Sequence, residues 1–140
     1  MIEWDERHED VRKVSKDIEL ARSLLKMVEE REDAIKNIDP LKFTSIVIES
    51  YYEIIKEVIT ALMAMDGYKT LSHEILIGYL KHFYKEFSDY EINFIDNLRK
   101  LRNSINYRGF FVKSDYWQRN RDTIFQIVMK LKNILKKELK

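Results

Sequence analysis

Cysteine is absent from the 140 residues, so neither a disulfide nor a thiolate metal site is open to this chain, and a reducing compartment suits it. Proline occurs once and glycine three times, which leaves little material for loops. No apolar run approaches the roughly 20 residues that a bilayer span needs, and Met1 to Asp10 is charged where a signal peptide would be apolar. The expectation is a soluble, cytoplasmic protein with no membrane partner. The three histidines, His8, His73 and His82, form no H-E-x-x-H or H-x-x-E-H pattern and no i, i+4 pair, so no metal site is expected. Also missing are G-x-G-x-x-G, the P-loop and G-x-S-x-G, and no cofactor is expected.

What is abundant is charge, together with Ile, Leu, Lys and Glu. A charged fraction of 35% with so few helix breakers favours an all-α chain, and the length suits one domain, residues 1–140. The net charge of +1 hides an asymmetry. Residues 1–97 carry 13 Lys or Arg against 21 Asp or Glu, a net −8; residues 98–140 carry 12 against 3, a net +9. The basic end suits an anionic partner. Attraction between the two ends inside the bundle, with cations favouring helix C-termini, accounts for the same asymmetry.

Apolar periodicity divides the chain into four long helices and a shorter one. The first runs from about Asp5 to Lys36, with Trp4, Val11, Val14, Ile18, Ala21, Leu25, Val28 and Ile35 on one stripe. The second, from the Asp39 cap and Pro40 to the Gly67 C-cap, organises the rest. Its polar residues Glu49, Glu53, Lys56 and Thr60 are confined to a narrow stripe, and nearly everything else is apolar. One flank, Ile48, Tyr52, Ile55, Ile59 and Met63, lies beside the core stripe and predicts a second cover, read as a homodimer interface shared with the helix that carries Arg102. The shorter helix spans Ser72 to Tyr84, with His73 expected to help cap it. Ser88 and Glu91 form a capping box that starts the fourth helix, whose core stripe is Tyr90, Phe94, Leu98, Leu101 and Ile105, and Gly109 suits its left-handed C-cap. Ser114 caps the fifth. Short links between long helices predict an up-and-down antiparallel bundle with no sheet.

The stretch Leu98 to Gly109, LRKLRNSINYRG, carries the candidate site. Arg99, Arg102, Asn103 and Asn106 fall at i, i+3, i+4 and i+7 and share one face, with Tyr107 and Arg108 at the helix end. Two guanidiniums beside two carboxamides suit phosphate oxygens. The same stripe also suits the solvated face of an ordinary bundle helix.

This stretch and SIVIESYYEIIKEVITALMAMDGYKTLSHEIL, with Tyr51, Tyr52, Gly67 and His73, resemble the HEPN domain superfamily (higher eukaryotes and prokaryotes nucleotide-binding) from about Phe43 to Gly109. That resemblance implies a small helical bundle, a homodimer, a minimal nucleotidyltransferase as partner protein in an accessory or toxin–antitoxin-like role, and a nucleotide or RNA ligand. Ribonuclease members are similar to R-N-x-x-x-H. Arg102 and Asn103 match its first two positions, and Tyr107 stands where the His would be. A phenol with an ordinary pKa of about 10 is a poor base at neutral pH beside an imidazole at about 6.5. The expectation is ligand binding by Arg99, Arg102, Asn103, Asn106 and Tyr107 without strong cleavage; the alternative is a metal-independent endoribonuclease using Arg102, Asn103 and Tyr107 across a dimer cleft.

Overall fold

The computed structural model describes residues 1–140 and is an all-α, up-and-down bundle of four long helices and one short one: α1 (Ile18–Ile35), α2 (Thr44–Asp66), α3 (His73–Phe83), α4 (Asp89–Arg108) and α5 (Ser114–Glu138). The central helix α2 packs against each of the other four, which follows from a circumference that is apolar almost all round. Thirteen of its residues are buried. Each large aliphatic side chain so removed from water contributes about 1.5–3 kcal/mol.

The expected cover for its second flank comes from within the chain. Ile48, Tyr52, Ile55, Ile59 and Met63 are all buried in the single protomer, so this flank leaves no apolar surface that calls for a second copy. Five helices do not act alone. Val14 and Tyr68 line, with Leu20, Met63 and Leu76, a shared apolar cleft, and His73 stacks on Tyr52 with ring centroids 5.7 Å apart.

Residues 1–17 are the largest departure from expectation, since the first helix begins at Ile18 and not near Asp5. Asp17 caps it, with Oδ1 accepting from the Leu20 amide at 2.9 Å. Ahead of it Arg12–Lys13 (β1) pairs antiparallel with Tyr68–Lys69 (β2), Arg12 opposite Lys69, a small ladder where no sheet was expected. The Val14 amide donates to Gly67 O and the Asp17 amide to Ala64 O, both at 2.9 Å. Trp4 packs edge-on against Tyr68, Tyr79 and Phe83, and this long-range aromatic cluster takes it out of the helical stripe. Gly78 makes the crossing over α3 possible, because a Cβ there would lie 2.0 Å from Ile2 O.

Smaller corrections concern caps and register. Asp39 and Pro40 form a separate turn, with the Leu41 amide donating to Asp39 Oδ1 at 2.9 Å, and α2 begins only at Thr44. Ser72 caps α3 and His73 is its first residue. Ser114 is the first residue of α5, which has no side-chain cap. Tyr90 is 64% exposed; α4 instead buries Ile92, Phe94, Ile95 and Leu98, so the inward face is rotated from the stripe that began at Tyr90. The Ser88–Glu91 capping box and the left-handed Gly67 (φ 84°) and Gly109 (φ 62°) stand where the sequence places them. No helix is long and apolar enough to cross a membrane.

Candidate functional site, a charge-balanced network between α2 and α4

Two polar stripes meet along the contact of α2 with α4. Successive turns of α2 present Glu49, Glu53 and Lys56; α4 presents Asp96, Arg99, Arg102, Asn103 and Asn106; and α3 adds His73 and Glu74 from its first turn. The i, i+3, i+4 spacing that put the α4 residues on one face is what lets them engage one neighbour together.

The ion pairs interlock. Arg102 Nη2 lies 3.2 Å from Glu53 Oε1, and Lys56 Nζ lies 2.7 Å from Glu53 Oε2, so one carboxylate holds a cation on each oxygen. Arg99 Nε donates to Asp96 Oδ1 at 2.9 Å, and its Nη1 is 3.9 Å from Glu74 Oε1. Lys100 completes Asp96 at 3.5 Å. Arg102 Nη1 donates to Asn103 Oδ1 at 3.3 Å. Asn106, its carboxamide oriented to satisfy both ends, donates to Glu49 and accepts from Arg102 Nε at 3.1 Å. The guanidiniums are far from solvated, with side chains only 12% exposed at Arg99 and 17% at Arg102.

Tyr52 and His73 close the network at its α3 end, the Tyr52 hydroxyl standing 3.0 Å from His73 Nδ1. Burial, with the Lys56 and Arg102 cations beside it, holds the His73 imidazole below its ordinary pKa and therefore neutral near pH 7. Burial pushes the Tyr52 phenol well above its usual range. At Glu53 burial acts upward but is outweighed by Lys56 and Arg102, and at Asp96 it is outweighed chiefly by Arg99, so both carboxyls sit below their ordinary values and stay ionised.

Of the five residues expected to form the site, four are therefore brought together and one is not. Arg99, Arg102, Asn103 and Asn106 belong to the network, whereas Tyr107, 77% exposed, has none of its hydrogen bonds. The expectation missed the acidic side: Glu53, Glu74 and Asp96 occupy the guanidiniums that were expected to meet a ligand, and Glu49 takes the Asn106 carboxamide. The available signal was the α2 stripe itself, whose carboxylates Glu49 and Glu53 repeat at helical spacing, as the α4 guanidiniums do, and oppose them in sign. No three His, Asp or Glu side chains converge as a metal-ligand group. No family model, curated protein or solved structure matches the chain.

Proposed function

We propose that the chain is a HEPN-like, homodimeric module that associates with a nucleotide or single-stranded RNA, works with a minimal nucleotidyltransferase partner in an accessory or toxin–antitoxin-like role, and lacks strong ribonuclease activity. The supporting observation is the gathering of Arg102, Asn103 and Asn106 on the α2-facing side of α4, with Tyr107 outside it. Binding there is an anion exchange. A phosphate oxygen takes the place of Glu53 on Arg102, while Glu53 keeps Lys56, so no charge is left unpaired. Strong cleavage is not expected because the motif position of the base holds an exposed phenol. The homodimer rests on the sequence resemblance alone.

The test titrates AMP, ATP and oligouridylate against wild type, Arg102→Ala and Glu53→Gln. Removing the guanidinium lowers affinity by about 10- to 100-fold, the equivalent of about 1.5–3 kcal/mol for charge-assisted hydrogen bonds. Glu53→Gln removes the competing anion and raises affinity. Equal binding by all three proteins would show that the network is structural only.

One observation favours a second reading in which RNA is cut. His73 is the imidazole of the network and is held neutral, and in the tautomer whose Nδ1 carries the proton toward the Tyr52 hydroxyl its Nε2 can accept one. Metal-independent cleavage lost in His73→Ala and retained in Tyr107→Phe would establish that reading over the first.

A further inference from the structure

The end of the bundle below the network has the opposite character. Gly109 to Lys113 crosses from α4 to α5 as an anchored ledge, the Val112 amide donating to Ser45 Oγ at 2.8 Å and the Phe110 amide to Ser104 O at 3.1 Å. Between this ledge and the start of α2 lies a groove of about 290 Å³. Its walls are Leu41, Phe43, Ile46, Ile105, Phe110 and Phe111, of which Phe111 is 83% exposed. Two consecutive phenylalanines held in water by a fixed backbone are a large apolar exposure for one short segment.

Charge narrows what covers them. None of the residues lining the groove is acidic. Lys42 lines it and Arg108 and Lys113 bracket the ledge, yet none of the three is in an ion pair, although every cation of the α2–α4 network is. The nearest carboxylates in sequence are engaged elsewhere: Asp39 accepts from the Leu41 amide and Asp115 pairs with Arg119. A twofold contact between two copies at this groove would set these unpaired cations against their own counterparts, which disfavours self-association here. Nucleobases stack on aromatic faces, but Leu41, Ile46 and Ile105 give the groove aliphatic walls suited to branched or aromatic side chains of a protein.

We infer that this groove is a docking site for a segment of a partner protein that presents bulky apolar side chains flanked by Asp or Glu. The apolar side chains fill the groove and supply most of the affinity, and the carboxylates meet Lys42, Arg108 and Lys113 at its rim, setting orientation and association rate. This inference does not depend on a ligand at Arg102.

The experiment pans a phage-displayed library of random linear peptides against the full chain, then measures the selected peptides in solution by fluorescence anisotropy. They are tested against wild type, Phe111→Ser, Ile46→Ser and the double variant Lys42→Glu with Lys113→Glu. All the altered side chains are exposed, and an unchanged thermal midpoint verifies folding. The expected peptides combine Asp or Glu with Leu, Ile, Phe, Trp or Met, weaken about tenfold or more in either apolar variant, and weaken several-fold in the double variant and at higher salt. Selection of basic peptides, of peptides indifferent to all the variants, or of none would overturn the inference. So would oligouridylate binding that is lost in Phe111→Ser while peptide binding is not, which would make the ledge a base-stacking surface. A lower mass by light scattering for the apolar variants than for wild type would overturn it in favour of a contact between copies.

Discussion

Arg102 and Arg108 lie on one helix, about 9 Å apart along its axis at 1.5 Å per residue, and their circumstances are opposite. The first is 17% exposed and tied to Glu53; the second stands in solvent at the end of α4 with no carboxylate partner. Both contribute equally to the +9 of residues 98–140. A surplus of one sign therefore does not by itself say where a partner binds. The charges of the α4 interior are largely consumed in joining α4 to α2, and the surplus available to another molecule is displaced to the α4–α5 crossover. Attraction between the acidic and basic parts of the chain is thus visible in Arg102–Glu53, and in Lys132–Glu32 at 2.6 Å between α5 and α1.

The contrast is broken most directly by removing a guanidinium from the interior. Arg99→Ala leaves Asp96, 93% buried, with only Lys100, and should cost about 2–4 kcal/mol in urea denaturation. Arg99→Met combined with Asp96→Leu should recover most of that loss, since a packed apolar pair often replaces a buried ion pair without penalty. A loss under about 0.5 kcal/mol in the single variant, the range of ordinary surface changes, would mean that the interior arginines are as free as those at the crossover. Arg102→Ala should cost less, about 1–3 kcal/mol, because Glu53 is more accessible than Asp96 and retains Lys56.

The sequence made the bundle legible where its signals were local. Gly67 and Gly109 end helices in the left-handed conformation, and Ser88 reads as a cap because Glu91 follows at the right spacing. The N-terminal segment was not legible, because Trp4 and Val14 keep helical spacing while their partners lie more than fifty residues away: Trp4 meets Tyr68, and Val14 bonds Gly67. The competing local signal was Asp17, an N-cap whose strength cannot be weighed against an apolar stripe without the tertiary contacts. At the site the α4 stripe was legible and its neutralisation was not. Pairing Arg102 with Glu53 needs the axial offset between two helices, which neither helix encodes alone. Tyr107 stays outside because it follows Asn106 by about 100° around the helix, enough to leave the α2-facing side.

A gentler perturbation sharpens the same contrast by pH. Burial, aided by Lys56 and Arg102, places the folded pKa of His73 below the unfolded value of about 6.5, so the unfolded chain takes up its proton first as pH falls. The contribution of His73 to stability is complete above about pH 6.5 and declines below it, through the folded value. Glu53 and Asp96 have lowered pKa values, so their contributions are present above their unfolded values and fade at more acid pH, in a separate window. Urea midpoints measured against pH should therefore begin to fall just below 6.5 in wild type and stay flat there in His73→Gln. The same slope in both proteins would place the effect elsewhere.

The smallest expected effect is at the crossover, and its smallness is the point. Lys42 and Lys113 meet no carboxylate, and the cation–π contact of Lys42 with Phe43, 5.4 Å from the ring centre, is exposed. Replacing either lysine by Ala removes no paired charge and opens no cavity, so stability should change by less than about 0.5 kcal/mol. The double replacement should be additive, because neither lysine is part of a network like that around Arg102. What should change is affinity for an acidic peptide, and that change should shrink as salt rises, since exposed charges are screened over about 8 Å at physiological ionic strength. A loss of 1 kcal/mol or more on removing Lys113 would reveal a structural partner for it and would align the crossover with the interior, erasing the contrast between the two regions.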